Sequence, residues 1–210
     1  MAIGIIAVVI GYLVGSIPFA YIAGRLIKGV DIRRVGGRNM GALNVMREVG
    51  TVAGWAVLFA DMGKGVLAVL IAQWLSVSVI IVFVAGLAAV VGHSWPIFLG
   101  FKGGRGAATT MGVLLALAPV EFAISFAIVV IVVLVTNNVR LGVGVGLAFL
   151  PLIIWWFGGE VRLIIYCLAL ALFLLLRNVL ALKRDLATAG NKKDFIVDKK
   201  FTPWQTKKRK

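Results

Sequence analysis

Val77-Ser78-Val79-Ile80-Ile81-Val82-Phe83-Val84-Ala85-Gly86-Leu87-Ala88-Ala89-Val90-Val91 carries no charged side chain, and residues 124–135 form a second such run. Runs of this kind are buried either in a bilayer or inside a large apolar core. A chain of 210 residues cannot build a core that hides several of them. Composition agrees: 61% of the residues are hydrophobic and 14% charged, with a mean hydropathy of +1.05, whereas soluble domains average about half apolar and about a quarter charged. Lipid is therefore the solvent. The fold class is an all-α integral membrane protein, a bundle of about seven short transmembrane helices with glycine-rich loops on the cytoplasmic side.

Working outward from the charge-free runs, seven apolar segments can be marked, at about residues 3–27, 52–74, 77–92, 107–118, 120–135, 141–157 and 161–182. Several are shorter than the about 20 residues that a perpendicular span needs. The fourth and fifth meet at Pro119 and form either one long kinked span or two short ones. Charge placement decides in favour of two. With seven spans and the N-terminus outside, segments 25–50, 93–106 and 137–140 and the chain from Lys183 onward face the cytoplasm and hold nearly every cation. The outer loops then hold Glu121 and Glu160, the pattern expected of a positive-inside topology. The expected organisation is a single polytopic domain over residues 1–184 and a basic cytoplasmic tail over 185–210. Cations of that tail near anionic lipid contribute about 1 kcal/mol each. The first apolar stretch lacks a small-residue cleavage signal and reads as a retained span. No internal repeat of an inverted-repeat transporter is evident.

The 22 Lys and Arg against 8 Asp and Glu give a net charge of +14. Nothing resembles a nucleic-acid module, so the excess is assigned to membrane loops rather than to nucleic acid. Cys167 is the single cysteine, which excludes a disulfide framework and a cysteine metal site. His93 is the single histidine. With no clustered Asp, Glu or Cys around it in sequence, no metal site is expected.

Three segments interrupt the apolar monotony. Gly36-Gly37-Arg38-Asn39-Met40-Gly41-Ala42-Leu43-Asn44-Val45-Met46-Arg47 combines glycines, which let backbone N–H groups approach an anion, with Arg donor forks suited to phosphate. Its plainer explanation is a turn-rich loop whose arginines set topology. Gly92-His93-Ser94-Trp95-Pro96-Ile97-Phe98-Leu99-Gly100-Phe101-Lys102-Gly103-Gly104-Arg105-Gly106 leads into an apolar helix, and a glycine-rich loop feeding a helix N-terminus is an anion site. It lacks the spacing of a P-loop. The competing explanation is a membrane-edge loop with the belt aromatics Trp95, Phe98 and Phe101. Third, Asp61-Met62-Gly63-Lys64-Gly65 puts two ionisable residues in a span, where they mark function by default. Three apart, they share a helix face and either pair structurally or touch substrate. There is no G-x-S-x-G elbow and no His-x4-Asp pair. A transferase built from these residues must rely on positioning and on cationic and backbone donors.

The chain resembles the bacterial PlsY family, membrane acyltransferases that use acyl-phosphate and glycerol 3-phosphate. The resemblance runs from Gly15-Ser16-Ile17-Pro18-Phe19 to about Arg184, through Asp31-Ile32-Arg33 and Asp61-x-x-Lys64-Gly65. It is most specific over Gly92-His93 to Thr109, which is similar to the family's Gly-His-x-x-Pro-x-Phe-x-x-Phe-Lys-Gly-Gly-Lys-Gly-x-Ala-Thr with Arg105 in the second Lys place. The resemblance implies a seven-helix bundle, transfer of an acyl group to the sn-1 hydroxyl of glycerol 3-phosphate, and no metal or tightly bound cofactor, the donor's own phosphate acting as base. The candidate catalytic set is Arg47, Lys102, Asn44 and His93, with His93 expected to fix the loop more than to move a proton. Candidate substrate-binding residues are Arg38, Asn39, Gly41, Lys64, Gly103, Gly104, Arg105, Gly106 and Thr109. The expected partners are acyl-phosphate, glycerol 3-phosphate and membrane lipid, with the chain a monomer in the bacterial cytoplasmic (inner) membrane.

Two departures from the family pattern stand out. In Ser-Gly-Asn-x-Gly-Ala-Thr-Asn-x-x-Arg, this chain has Gly37 in the Ser place, Arg38 in the Gly place and Leu43 in the Thr place. After the last span, Asn178 and Ala181 stand where the family has His and Asn. These changes keep two alternatives in view: a relative with another acceptor or lost catalysis, and a small transporter of a phosphorylated solute.

Overall fold

In hydrocarbon every backbone N–H and C=O must be satisfied within the protein, so apolar segments of this length become helices. The computed structural model describes residues 1–188, with side chains described as far as Val179. Its helices are α1 (Ala2–Gly15), α2 (Phe19–Lys28), α3 (Ala42–Glu48), α4 (Thr51–Trp74), α5 (Val79–Ser94), α6 (Ala107–Leu117), α7 (Pro119–Thr136), α8 (Val139–Trp156) and α9 (Val161–Thr188), with a 3₁₀ turn at Ile97–Leu99. Among the described residues there is no strand, and six helical segments are long and apolar enough to cross a membrane. The basic tail expected from residue 185 lies, beyond Thr188, outside the described residues.

All seven apolar segments are helical, with differences that have local causes. The first is broken: α1 ends at Gly15 and α2 begins at Phe19, because Pro18 has no N–H to continue the ladder. The fourth, α6, has 11 residues and reaches about 16 Å at about 1.5 Å per residue, short of the about 30 Å of a hydrocarbon core. It does not continue into α7, since Ala118 leaves the helical region at φ −145°, ψ 69°.

The chain divides into two compact units, one over Met1–Pro119 and one beginning at Val120. In the first, α1 packs on α5 and α4 on α6 through small residues. A Cβ at Gly15 would overlap the Ala89 carbonyl, and one at Gly112 the Met62 carbonyl. Such close backbone approach is how helices associate where lipid removes the hydrophobic drive. In the second unit, Asn138 caps α8 by accepting the Leu141 N–H at 3.1 Å, and the Ser125 hydroxyl of α7 donates to the Gly146 carbonyl of α8 at 2.8 Å.

The loop between α2 and α3 is pinned by its own apolar core. Ile32 and Val45 are fully buried with Met40, Val49, Val57 and Ala20, and Phe19, Tyr21 and Leu99 pack against them. Asp31 and Arg33 close the turn. The guanidinium meets the carboxylate through both oxygens, Nε to Oδ1 at 3.0 Å and Nη2 to Oδ2 at 2.8 Å. These bonds from Arg33 hold the Asp31 carboxyl at about 2, below its ordinary 3.8. A depressed carboxyl adds stability above its unfolded pKa and loses it as pH falls through the folded one. The thermal stability advantage of the wild type over Asp31→Asn is therefore expected to shrink between about pH 4 and pH 2. Thermal melts across that window would show it; a constant difference would rule the linkage out.

Candidate active site

The loop carrying Gly36 to Gly41 is organised by one side chain. Asn44, on α3 and buried, donates from Nδ2 to the carbonyls of Ile32 at 3.0 Å, Val35 at 3.2 Å and Asn39 at 3.0 Å, and accepts the Gly37 N–H at 2.8 Å. The amide is thus used within the loop and holds it closed. The backbone turns at Gly36 (φ 54°) and again at Arg38 (φ 50°). A left-handed conformation is uncommon for a residue with a Cβ, and Arg38 occupies it with an exposed side chain. Arg47 is exposed one helical turn beyond Asn44, while Asn39 and Gly41 are half-buried.

The second loop begins where α5 ends. The Gly104 N–H donates to the His93 carbonyl at 3.0 Å, folding the glycines back onto the helix end. Gly104 is buried, and a Cβ there would overlap His93 Nε2 and approach the Met40 carbonyl to 2.7 Å; one at Gly103 would overlap the His93 carbonyl. The two loops therefore touch at Gly104 and Met40. A second tie runs from Arg33 Nη1 to the Leu99 carbonyl at 3.3 Å. Lys102 is exposed beside these glycines and Arg105 half-buried. Gly106, at φ 93°, is the N-cap of α6, so the loop delivers unpaired helix N–H groups to the same place.

Beneath the loops lies a buried cluster. Lys64 Nζ is 2.8 Å from Asp61 Oδ1, each side chain 2% exposed, and donates to the Ile17 carbonyl at 3.1 Å. His93 Nδ1 is 3.5 Å from the same Asp61 oxygen. Lys64, a candidate substrate contact from sequence, thus has its ammonium enclosed by protein acceptors. Thr109 is fully buried, and its carbonyl lies against Gly65. Among the described residues no three His, Cys, Asp or Glu side chains gather as a metal site.

Sequence reasoning missed two braces, Arg33 and the Ile17 carbonyl. The Asp31-x-Arg33 spacing was a legible sign of the first. The second is a backbone atom at the break before Pro18, where it also accepts the Phe19 N–H at 3.2 Å, and it carries no side-chain signal. In the second unit, Asn178 donates to the Leu174 carbonyl of its own helix at 2.9 Å; the side chain of Ala181 lies outside the described residues.

A helical membrane bundle with two touching glycine-rich basic loops is the architecture of an enzyme that handles anionic groups at a lipid surface. The family model for glycerol-3-phosphate acyltransferase matches residues 5–188, and the chain belongs to that family. It is 39% identical over 198 residues to glycerol-3-phosphate acyltransferase 1 of Dehalococcoides mccartyi, covering 91% of this chain and 95% of the relative. It is 46% identical over 153 residues to glycerol-3-phosphate acyltransferase 2 of Moorella thermoacetica, covering 73% and 78%. The fold matches the crystal structure of PlsY (YgiH), an integral membrane glycerol 3-phosphate acyltransferase, in its glycerol 3-phosphate form, with a TM-score of 0.79 at 34% identity over 88% of this chain and 92% of that one. The lysophosphatidic acid form of PlsY matches with a TM-score of 0.78.

Proposed function

We propose that the protein transfers a fatty acyl group from acyl-phosphate to the sn-1 hydroxyl of glycerol 3-phosphate, giving 1-acylglycerol 3-phosphate and inorganic phosphate. The observation that carries this is the junction at Gly104, where a glycine-rich loop feeding the N-terminus of α6 is locked against the Met40 carbonyl of a second basic loop. Both substrates present phosphate, and both loops supply backbone N–H groups and cations suited to it. Lys102, Arg105 and Arg47, with the N–H groups of Gly103 and Gly106, hold the phosphates, while Gly104, its N–H donated to the His93 carbonyl, shapes the loop. Arg38 and Asn39 contact the acceptor, and Asn44 and Gly41 keep their loop in shape. The hydroxyl oxygen attacks the acyl carbonyl carbon and the bond from that carbon to the phosphate oxygen breaks. Phosphate leaves with the electron pair and its oxygen takes the hydroxyl proton. No protein base is needed, and catalysis is positioning plus charge stabilisation. The cation-rich loops between residues 25 and 50 and between 93 and 106 support an orientation with the N-terminus outside and these loops cytoplasmic, the chain acting as a monomer in the bacterial inner membrane.

The test is purified full-length protein in a lipidic phase with palmitoyl-phosphate and glycerol 3-phosphate, following phosphate release and lysophosphatidic acid by mass spectrometry. Formation of both is the expected result. Phosphate without the lipid product would replace the acceptor. Neither product from folded protein would overturn the transferase reading in favour of a relative without this catalysis or a transporter.

Arg38 gives a sharper test. Its left-handed backbone suits glycine, the residue the family pattern has there. Arg38→Gly is expected to raise thermal stability, while lost charge-assisted hydrogen bonding lowers kcat/KM about tenfold. A Cβ at Gly37 would sit 3.5 Å from Asn44 Oδ1, an ordinary contact, so Gly37→Ser is tolerated. Added to Arg38→Gly, it is expected to recover part of the activity. Unchanged kinetics in Arg38→Gly would remove Arg38 from the site.

A further inference from the structure

Asp61, Lys64 and His93 are 2%, 3% and 6% exposed, in helices that stand in lipid. An ion pair so placed gains little net stability, because desolvation offsets the attraction, and ionisable groups inside spans are retained where they do something else. What these three do is visible in where their bonds lead. Lys64 on α4 reaches the Ile17 carbonyl, at the point where the first span unwinds before Pro18 and re-forms as α2. That helix ends at Lys28, and the chain reaches the loop of Gly36 to Gly41 through the turn closed by Asp31 and Arg33. Asp61, one turn away on α4, faces both Lys64 and His93. His93 carries the other end, since its carbonyl receives the Gly104 N–H and its ring lies against the Gly104 Cα. The three side chains line one narrow crevice with Ser16, Ile17, Phe19, Met40 and Pro96, with the Phe19 ring centroid 5.9 Å from Nζ.

A pair serving only charge neutrality needs no third member and no link to a break in a neighbouring span. Here one continuous path runs from the Ile17 carbonyl through Lys64, Asp61 and His93 to Gly104, one end at the break in the first span from which α2 departs and the other in the second glycine loop. We infer that Asp61, Lys64 and His93 are positioning residues that set the separation of the two phosphate-holding loops through the unwound first span and the glycine loop. The inference rests on the acyltransferase reading for its kinetic consequence, but not for its binding consequence. None of the three touches substrate. They act through Ile17 and Gly104, so their loss appears in phosphate affinity and in KM for glycerol 3-phosphate more than in kcat.

The test uses the full chain in a lipidic phase. Asp61→Leu combined with Lys64→Met removes both charges together, avoiding the lone buried charge that either single substitution would leave. The double variant is expected to fold and to show KM for glycerol 3-phosphate raised on the order of tenfold to a hundredfold, the scale of an ångström of misplacement. Affinity for inorganic phosphate, measured by calorimetry, should fall in parallel. A folded double variant with wild-type KM and wild-type phosphate affinity would overturn the inference, leaving charge neutrality as the role of the pair. If the double variant does not fold, His93 decides. His93→Ala should weaken phosphate binding, and His93→Asn, which returns an N–H toward Asp61, should recover most of it; equal affinities in both variants and wild type would overturn the inference. Should the wild type make no lysophosphatidic acid, the acyltransferase reading fails alone, since the phosphate-binding comparison still tests the positioning role.

Discussion

Lys102→Ala and Arg47→Ala are each expected to lower kcat/KM for lysophosphatidic acid formation by roughly two to three orders of magnitude. Both side chains are exposed, yet each is attached to a rigidly held backbone. Lys102 follows Phe101, itself left-handed at φ 60°, and precedes the glycines locked on His93. Arg47 lies in the last turn of α3, whose Asn44 staples the other loop. Charges fixed this way are already aimed when negative charge develops on the acyl carbonyl oxygen and the leaving phosphate, which is why removing one is costly. Because the side chains are exposed, neither substitution opens a cavity, and thermal midpoints should stay within a few degrees of wild type. Raising ionic strength should lower wild-type kcat/KM more steeply than that of either variant, since screening acts on the charges they lack. An alanine variant that retains wild-type kcat/KM would take that residue out of the site.

How much of this was legible beforehand depends on whether the signal is local. The run from Val77 to Val91 is charge-free, and lipid leaves the backbone no option but a helix, so α5 could be read directly. The break in the first span was less legible. Pro18 was plain in the sequence, but an apolar stretch reads the same on either side of a proline, and prolines kink helices as well as ending them. The shortness of α6 was set by its flanks, Gly106 at one end and Ala118 at the other. In the site, residue types were legible and partners were not. Glycine, Asn and Arg in one loop pointed to an anion, but nothing in Asn44 says that its amide is used on Ile32, Val35, Gly37 and Asn39. Likewise Asp61 and Lys64 were pairable by helical spacing, whereas His93 reaches Asp61 only because α4 and α5 pack together. The substitution of Arg38 for the family's Gly looked like a chemical change. The structure makes it a conformational one as well, since the backbone there remains the one glycine favours.

Gly104→Ala is the second large effect, expected to lower kcat/KM about a hundredfold through displacement of the loop rather than loss of any charge. The added methyl would overlap His93 Nε2 and crowd the Met40 carbonyl. Met40 is 3% exposed and held in the apolar core of its own loop, so the carbonyl cannot easily retreat. His93 is tied toward Asp61 on one side and through its carbonyl to Gly104 on the other. With both neighbours fixed, the glycine loop has to move, and the N–H groups at the start of α6 move with it. Gly63→Ala is the matched control. It lies in α4 within the Asp61 to Lys64 turn, where an added Cβ meets nothing within 4 Å, and replacing a mid-helix glycine by alanine stabilises by about 0.5–1 kcal/mol. Near-normal kinetics in Gly63→Ala beside a severe loss in Gly104→Ala would locate the effect at the contact between the loops, since both substitutions add the same methyl group. Near-normal kinetics in both would mean that the loops can separate without cost to the reaction, and the junction at Gly104 would then no longer account for the activity.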